Sequence, residues 1–483
     1  MRWVERIVIV LAVAALGHVL PTFFFDDAYI TFRYAQNIAA GEGFSYNPPE
    51  RVLGVTTPLF TLLLAGLARL GYDLESAALW LGLAGHAALC VMAHVVLTAM
   101  RPPDEGRRLP VPLIGGTLCA LQSHLALTAV GGMETSLYVA LLLAVMAAAA
   151  AGSAAWTGVC LGAAFLTRPD AVLAVPAAFW LLASGPGGGS GERRTRAGGR
   201  FAVLRAAAVA AALALPWVLY AWLTFGSPVP HSVAAKRVIH PAGPLEILSE
   251  IASFIADSPL LLAALPLALW GLERRRREPL AQGLALFCLT YLAAWLFSGV
   301  TPFPWYVNPL IPPLLVLALS GLADVLDRMG LDRWMAWAAV AVALLGSTAW
   351  QLHRKVPELR ASWDEWEGQY EIAARWIMND SDPGDSVLVG EVGVIGYLLP
   401  GRVILDSSGI NSPALLAMRR GRSETDLSWT RDVIETMHPD YITTSILYLN
   451  MRQLMHEEWF QSAYERIDLP LLDREGQVIF RRR

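Results

Sequence analysis

The chain reads as a mostly α, polytopic membrane protein that ends in a small extracytoplasmic α/β domain, and three features of the sequence predict this. Its 483 residues are 55% hydrophobic and only 16% charged, with a mean hydropathy of +0.46, which is too apolar for a soluble chain of that length. Apolar runs near the length a bilayer requires recur from the N-terminus to about residue 351. Beyond them, residues 353–483 carry dense charge and alternate short apolar strands with helical stretches. The expected division is therefore 1–352 in the membrane and 353–483 outside it. The net charge of -4 says little, because charge in such a protein is sorted by membrane side and not averaged.

The spans follow in order. Residues 2–20 combine a basic start with an apolar run, and no small-residue cleavage site precedes Pro21, so they read as an uncleaved first span. Further spans are expected at 75–99, 110–128, 135–151, 155–168, 170–184, 201–224, 257–272, 280–298, 306–323 and 334–351, about eleven in all. The run from Pro58 to Leu70 decides the topology. If it lies in the interface without crossing, then Arg101, Arg107, Arg108, Arg193, Arg194, Arg196, Arg200, Arg274 to Arg277, Arg328 and Arg333 share a side with Arg2 and Arg6. That side is then the cytoplasm. The opposite, outer face receives every polar candidate: the loop of residues 23–57, the turns around Glu134 and Arg168, the loops near residues 225–250 and 298–306, and the C-terminal domain.

In the outer domain, 371–378 and 427–437 read as helices, and 386–390, 403–406, 441–444 and 477–480 as strands. The four cysteines, Cys90, Cys119, Cys160 and Cys288, all fall in apolar runs and read as small buried side chains. The glycine-rich basic stretch Gly185 to Arg200 lacks the Lys-Ser/Thr ending of a phosphate loop and reads as a flexible cytoplasmic linker. No nucleotide motif appears elsewhere and no nucleic-acid partner is expected, so the substrate arrives already activated.

The chemistry concentrates in Phe23 to Pro58, FFFDDAYITFRYAQNIAAGEGFSYNPPERVLGVTTP. Asp26 and Asp27 follow three phenylalanines at the edge of a bilayer, where burying two acids is costly and calls for a function. An N-cap on the helix that begins there is the plain alternative, but capping needs one Asp, and Tyr29, Arg33, Tyr34 and Asn37 accompany the pair. Glu134 sits near a helix N-terminus, where the dipole favours a carboxylate. Arg168 and Asp170 form a tight polar turn and either pair with each other or bind an anion. His231, Lys236, Arg237 and His240 place positive charge on the outer face against the usual bias, which binding a phosphate at the membrane surface would explain. Trp305 and Tyr306 read as interfacial anchors or as sugar platforms. Glu391 and Asp406 follow predicted strands, where α/β sheets tend to bind ligands. His86 and His94 share a face within a span and read as bonded to a neighbouring helix.

A carboxylate able to take a proton and cations able to hold a phosphate suit general-base removal of an acceptor hydroxyl's proton with a phosphate leaving group. Two acids adjacent in sequence are badly placed to flank a sugar ring as a glycosidase pair does, so transfer fits better than hydrolysis. Neighbouring acids can also coordinate Mg²⁺ or Mn²⁺, which makes a divalent cation a candidate cofactor. The rival from another class is a transporter or flippase of lipid-linked saccharides, but the charged groups stand near span ends on one side and no internal repeat is visible.

The stretch DDAYITFRYAQNIAAGEGFSYNPPERVLGVTTPL resembles the first extracytoplasmic loop of the GT-C glycosyltransferases, polytopic enzymes that use polyprenyl-phosphate-linked sugars. It is most similar to the branch with the terminal arabinofuranosyltransferases of the mycobacterial cell wall, and more distantly to protein mannosyltransferases and lipid A aminoarabinose transferases. GGMETSLY, LTRPDAVL and PHSVAAK add looser matches in the same order. The resemblance implies an inverting transferase in the plasma membrane, acting on its outer face, with a polyprenyl-phosphate sugar as donor and a glycan, lipid or protein hydroxyl as acceptor. It implies an interfacial helix after the acidic loop, Asp26 as first choice and Asp27 as second for catalytic base, and Lys236 and Arg168 facing the donor phosphate. Leu53 stands where that branch carries Glu, and Val55 where an aromatic is common, which leaves the sugar open.

Overall fold

The computed structural model describes residues 2–100, 111–185, 196–329, 333–362, 368–422, 426–446, 448–470, 472 and 476–483. Arg101, Arg107, Arg108, Arg193, Arg194 and most of the glycine-rich linker lie outside the described residues.

Helix α1 (Arg2–Val19) leads into the acidic loop, whose start forms α2 (Asp26–Ala40), closed at Gly41 in a left-handed conformation. Helix α3 (Pro58–Arg69) is 12 residues long, about 18 Å, too short to cross a bilayer core. Then follow α4 (Leu74–Ala99), α5 (Val111–Leu121), α6 (Ser123–Val130), α7 (Thr135–Ala150), α8 (Ala154–Thr167), a 3-10 turn at Pro169–Ala174, and α9 (Val175–Ser184). Helix α10 (Arg196–Phe225) begins inside the stretch expected to be linker. Two short helices that the sequence reading left as loop, α11 (His231–Ile239) and α12 (Pro244–Ala256), precede α13 (Pro259–Arg274), α14 (Pro279–Leu296), the single turn α15 (Pro304–Val307), α16 (Ile311–Met329) and α17 (Arg333–Ser362). The expected span at 110–128 is broken, with α5 and α6 meeting at 56°, and α12 joins α13 at 105°.

This is a multi-pass membrane protein: among the described residues four helices are long and apolar enough to cross a bilayer, or up to six if each bent pair is one span. Exposure agrees. The apolar segment of α10 is only 11% buried, and Leu219, Trp222, Leu223, Leu269 and Leu289 point outward, which suits a lipid solvent and not water. Basic side chains gather at one end of the bundle. Arg275 donates to the Met100 carbonyl (2.7 Å), and Arg274 and Arg328 both reach Asp324 (3.5 and 3.0 Å).

The C-terminal domain, the outer domain of the sequence reading, comprises α18 (Gly368–Asp380), β1 (Ser386–Val389), α19 (Gly393–Leu398), β2 (Val403–Asp406), α20 (Pro413–Arg419), α21 (Leu427–Met437), β3 (Tyr441–Ser445), α22 (Met451–Leu454), α23 (Glu458–Ala463), β4 (Tyr464–Ile467) and β5 (Gln477–Arg482). The sheet order is β2-β1-β3-β5-β4. The first three strands are parallel, and β5 and β4 add antiparallel. The apolar runs of β1 and β3 are fully inside, as parallel strands covered on both faces require. Strand β4, mixed in polarity and at the sheet edge, left too weak a pattern to read from sequence.

Composition places a boundary near residue 352, but packing runs across it. Phe32, Tyr34, Phe44, Tyr46 and Leu53 of the first loop share one hydrophobic core with Ile377, Val389, Ile395 and Ile404 of the outer domain. The Asn47 side chain bonds both the carbonyl and the N–H of Ile404 (2.8 and 3.1 Å), covering the exposed edge of β2. Arg33 is 2% exposed. Its guanidinium donates to the carbonyls of Tyr46 (2.7 Å), Gly396, Leu399 (3.1 Å) and Arg402 (2.9 Å) and to Asn47 Oδ1 (3.1 Å). Arg33 therefore ties the loop to the sheet and has no donor left for a substrate, a correction to its place among the binding candidates.

Candidate active site

The doublet is positioned from both sides. The Phe25 N–H donates to the Gly131 carbonyl (3.2 Å), and Phe24, Tyr29 and Phe32 form an edge-to-face aromatic cluster that Tyr29 and Phe32 extend onto Tyr397 of α19. Tyr29 is thereby a packing residue between helices and lines neither cavity described below. Helix α2 has no side-chain cap; its N-cap position is Phe25. Asp26 instead caps α19 of the outer domain, accepting the N–H groups of Gly393 (2.9 Å) and Val394 (2.8 Å). The glycines of GEVGVIGY make this approach possible: a Cβ on Gly393 would stand 1.8 Å from the Asp26 carbonyl oxygen, and one on Gly396 1.9 Å from the Tyr46 hydroxyl. Burial pushes the Asp26 carboxyl up to about 6 against the pull of those two N–H groups, and the Asp27 charge adds to the rise.

Asp27 faces elsewhere. It lines a cavity of ≈ 200 Å³ together with Ile30, Val55, Glu134, Arg168, Ser232, Lys236, Arg237, Trp295, Trp305 and Tyr306. The Lys236 ammonium lies 3.4 Å from Asp27 and donates to the Tyr306 hydroxyl at 3.0 Å. Lys236 is buried, which disfavours its charge, but Asp27 and Tyr306 outweigh that and hold its pKa above the usual lysine value. Arg237 forms no ion pair among the described residues. Ser232 is 5% exposed and its hydroxyl has no hydrogen-bond partner among them. Arg168 is committed: it bonds Glu134 (2.9 Å) and Asp170 (3.1 Å), and Asp170 in turn accepts the Tyr291 hydroxyl (3.1 Å). One guanidinium between two carboxylates leaves no excess positive charge, so the cations of this wall are Lys236, paired with Asp27, and Arg237. Trp305 packs on Phe25 and stacks on Phe303, and Tyr306 stacks on Trp295 beneath the Arg168 guanidinium. Both rings are cavity wall.

A second cavity of ≈ 400 Å³ opens between α2, α11 and the outer domain, lined by Asp26, Asp27, Ile30, Lys236, His240, Phe303, Glu391, Ser407, Ser408, Ile410, Arg419, Trp429 and Tyr448. The two cavities share Asp27, Ile30, Lys236 and Ile410. Glu391, at the C-terminal end of β1, belongs here; burial first, then the Asp26 and Asp27 charges, push it up to about 8. Its strand-end position pointed to it in the sequence. Trp429 and Tyr448 carried no such signal, since only the fold of the outer domain brings them to this wall. Asp406, at the end of β2, is spent on its own loop, accepting the N–H groups of Gly409 (3.1 Å) and Asn411 (2.7 Å) and the Ser408 hydroxyl. His231 lines neither cavity; its backbone N–H donates to the Leu53 carbonyl (2.7 Å) and fixes the start of α11 to the first loop. Among the described residues no group of three His, Cys, Asp or Glu side chains is placed to hold a metal ion.

No curated protein matches the chain in sequence. Residues 358–479 match a family model described as a domain of unknown function, DUF8728. Solved structures share the whole architecture at low identity. The archaeal oligosaccharyltransferase AglB from Archaeoglobus fulgidus, in complex with an inhibitory peptide and a dolichol-phosphate, aligns at TM-score 0.64 and 12% identity over 92% of this chain and 69% of its own. ArnT from Cupriavidus metallidurans aligns at 0.62 in the apo state and 0.59 bound to undecaprenyl phosphate, with 14% identity over 99% of this chain and 97% of its own. The arabinofuranosyltransferase AftD from Mycobacteria reaches 0.49 at 17% identity, with 39% of its length covered, too low for the likeness to carry an argument. The fold is that of the GT-C transferases.

Proposed function

We propose that this GT-C-fold chain is an inverting glycosyltransferase that moves a sugar from a polyprenyl-phosphate donor to a hydroxyl of a cell-envelope glycan, lipid or protein on the outer face of the plasma membrane. The observation that carries this is a single cavity lined by the Asp27 carboxylate and by the cationic side chains of Lys236 and Arg237. A single displacement needs a base on one side of the anomeric carbon and a cation at the leaving phosphate on the other. Asp27 removes the proton of the acceptor hydroxyl, whose oxygen attacks the anomeric carbon. The bond from that carbon to the phosphate oxygen breaks, and the polyprenyl phosphate leaves with one more negative charge than the diester carried, against Arg237, with Lys236 released toward it once the acceptor hydroxyl takes its place at Asp27. The proton stays on Asp27 until solvent takes it.

Asp27 replaces Asp26 as the preferred base because both Asp26 oxygens are occupied by N–H groups of α19. The undecaprenyl phosphate and dolichol-phosphate bound to ArnT and AglB support a lipid-phosphate donor here. The basic end of the bundle lies away from the cavities, and positive residues favour the cytoplasm, which supports the outward placement of the site.

The test is transfer from labelled polyprenyl-phosphate sugars to a panel of glycan, lipid and peptide acceptors by purified protein in nanodiscs, with product configuration read by NMR. Asp27→Asn is expected to lower the rate by about 10²–10⁴ with membrane insertion intact. Full activity in that variant, or retention of configuration, overturns the mechanism. A parallel EDTA arm tests for a divalent cation: loss of transfer restored by Mg²⁺ or Mn²⁺ shows that the reaction needs one.

A further inference from the structure

Helix α11 has two faces, and the C-terminal domain holds one of them. Ser232, Val233, Lys236 and Arg237 line the smaller cavity, whereas Ala235, Val238 and Ile239 pack against Ile410 and Leu416 of the C-terminal domain in a small core of their own. At nine residues the helix is too short to hold its shape unaided, so its tertiary contacts decide where Lys236 stands. Ile410 belongs to the loop after β2, which is closed by hydrogen bonds. Asp406, fully buried, accepts the N–H groups of Gly409 and Asn411 and the Ser408 hydroxyl, and its own N–H donates to Ser412 Oγ (3.0 Å). Gly409 has a φ of +74°, and a Cβ there would stand 2.6 Å from that of Leu416. Next to Ile410, Asn411 Oδ1 accepts the Tyr34 hydroxyl (3.2 Å), whose oxygen in turn accepts the Gly54 N–H (2.9 Å). The fit is tight: a Cβ on Gly54 would meet Asn411 Oδ1 at 2.0 Å. Gly54 and Ile410 both line the smaller cavity. One loop of the C-terminal domain thus braces that cavity through α11 and through the first loop.

We propose, resting on the transferase reading, that Ile410 is a positioning residue for the donor phosphate: through the loop that Asp406 closes, the C-terminal domain sets Lys236 and Arg237 where the leaving group needs them. A cation fixed in advance binds a phosphate better than one that must first be ordered. If α11 is docked in only a fraction of the molecules, the apparent affinity falls by that fraction. The coupling is reciprocal. A lipid phosphate that binds docked α11 must in turn tighten the loop and α20 upon it. The C-terminal domain thereby completes the wall that holds the donor, whatever the larger cavity binds.

The test titrates undecaprenyl phosphate into the full chain in nanodiscs of uncharged lipid, with affinity and backbone hydrogen exchange read on the same samples. Ile410→Ala is expected to weaken binding about tenfold, the effect of leaving α11 docked in about one molecule in ten. Ile410→Val, which keeps most of the contact, should bind like the wild type. Val433→Ala opens a cavity in the separate core between α21 and the sheet; it should lower the melting temperature and leave the affinity unchanged. In the wild type, the lipid phosphate should slow exchange at residues 414–418 of α20, none of which lines the smaller cavity. An unchanged affinity in Ile410→Ala, an equal loss in Val433→Ala, or no slowing of exchange in α20 overturns the proposal and leaves the transferase reading standing. Wild-type protein that binds no undecaprenyl phosphate overturns the transferase reading, and this inference with it.

Discussion

Asp26 and Asp27 are neighbours in sequence with different partners, and substitution should separate them. Asp27→Asn removes a base and leaves the fold in place. Asp26→Ala leaves two N–H groups of α19 without their acceptor, a loss of about 1–3 kcal/mol for each buried group left unpaired. It should lower the melting temperature of the outer domain as well as activity, which differential scanning fluorimetry distinguishes. Glu391 gives a pH signature. Its folded value, about 8, lies above the ordinary 4.5, so the native state binds this proton more tightly than the unfolded one. The stability it contributes is full below about pH 4.5 and is lost as pH rises through 8. In kinetics, ionisation above pH 8 adds a charge to the larger cavity, whose wall includes Asp27. The kcat/KM for transfer should fall there, because a further negative charge opposes the departing phosphate, and Glu391→Gln should flatten that alkaline limb.

At the scale of elements, the contact between α2 and α19 governs the site. Gly393→Ala drives a methyl group into the Asp26 carbonyl, an overpacking that costs about 1–3 kcal/mol. It is expected to loosen the outer domain, seen as faster proteolysis of residues 368–483 in intact vesicles. Arg33→Met should act through the same contact, since it strands several buried carbonyls; its expected phenotype is poor folding and not a raised donor KM. These elements were unequally legible. Helix α2, its glycine stop and four of five strands follow from periodicity and turn residues. Arg33 looked like a ligand because a charge near an acidic pair carries no mark of whether it faces a cavity or a backbone. Trp305 and Tyr306 looked like anchors because composition cannot tell a membrane surface from a cavity wall beside it.

For the whole molecule, sidedness is the claim to test. With the native cysteines replaced, cysteines placed at Glu50 and Arg420 should react with a membrane-impermeant maleimide in intact cells, and one at Arg276 only after permeabilisation. The reverse pattern would put both cavities in the cytoplasm. That the chain crosses a membrane several times was readable from hydropathy, and the sequence resemblance over the first loop found the right fold; the expected count of about eleven spans exceeds the four to six that the described helices supply by length and apolarity. The second cavity was not readable, because it forms only where residues separated by more than 350 positions meet, and no local pattern records such a meeting.

The shared core has a practical corollary for engineering. A chimaera joined at α17 would carry a foreign outer domain onto a native doublet and lose the cap on Asp26, the Asn47 seam along β2 and the Arg33 clamp together. Segment 23–57 and the C-terminal domain form one inheritable unit, so activity should survive an exchange between homologues only when both pieces travel together.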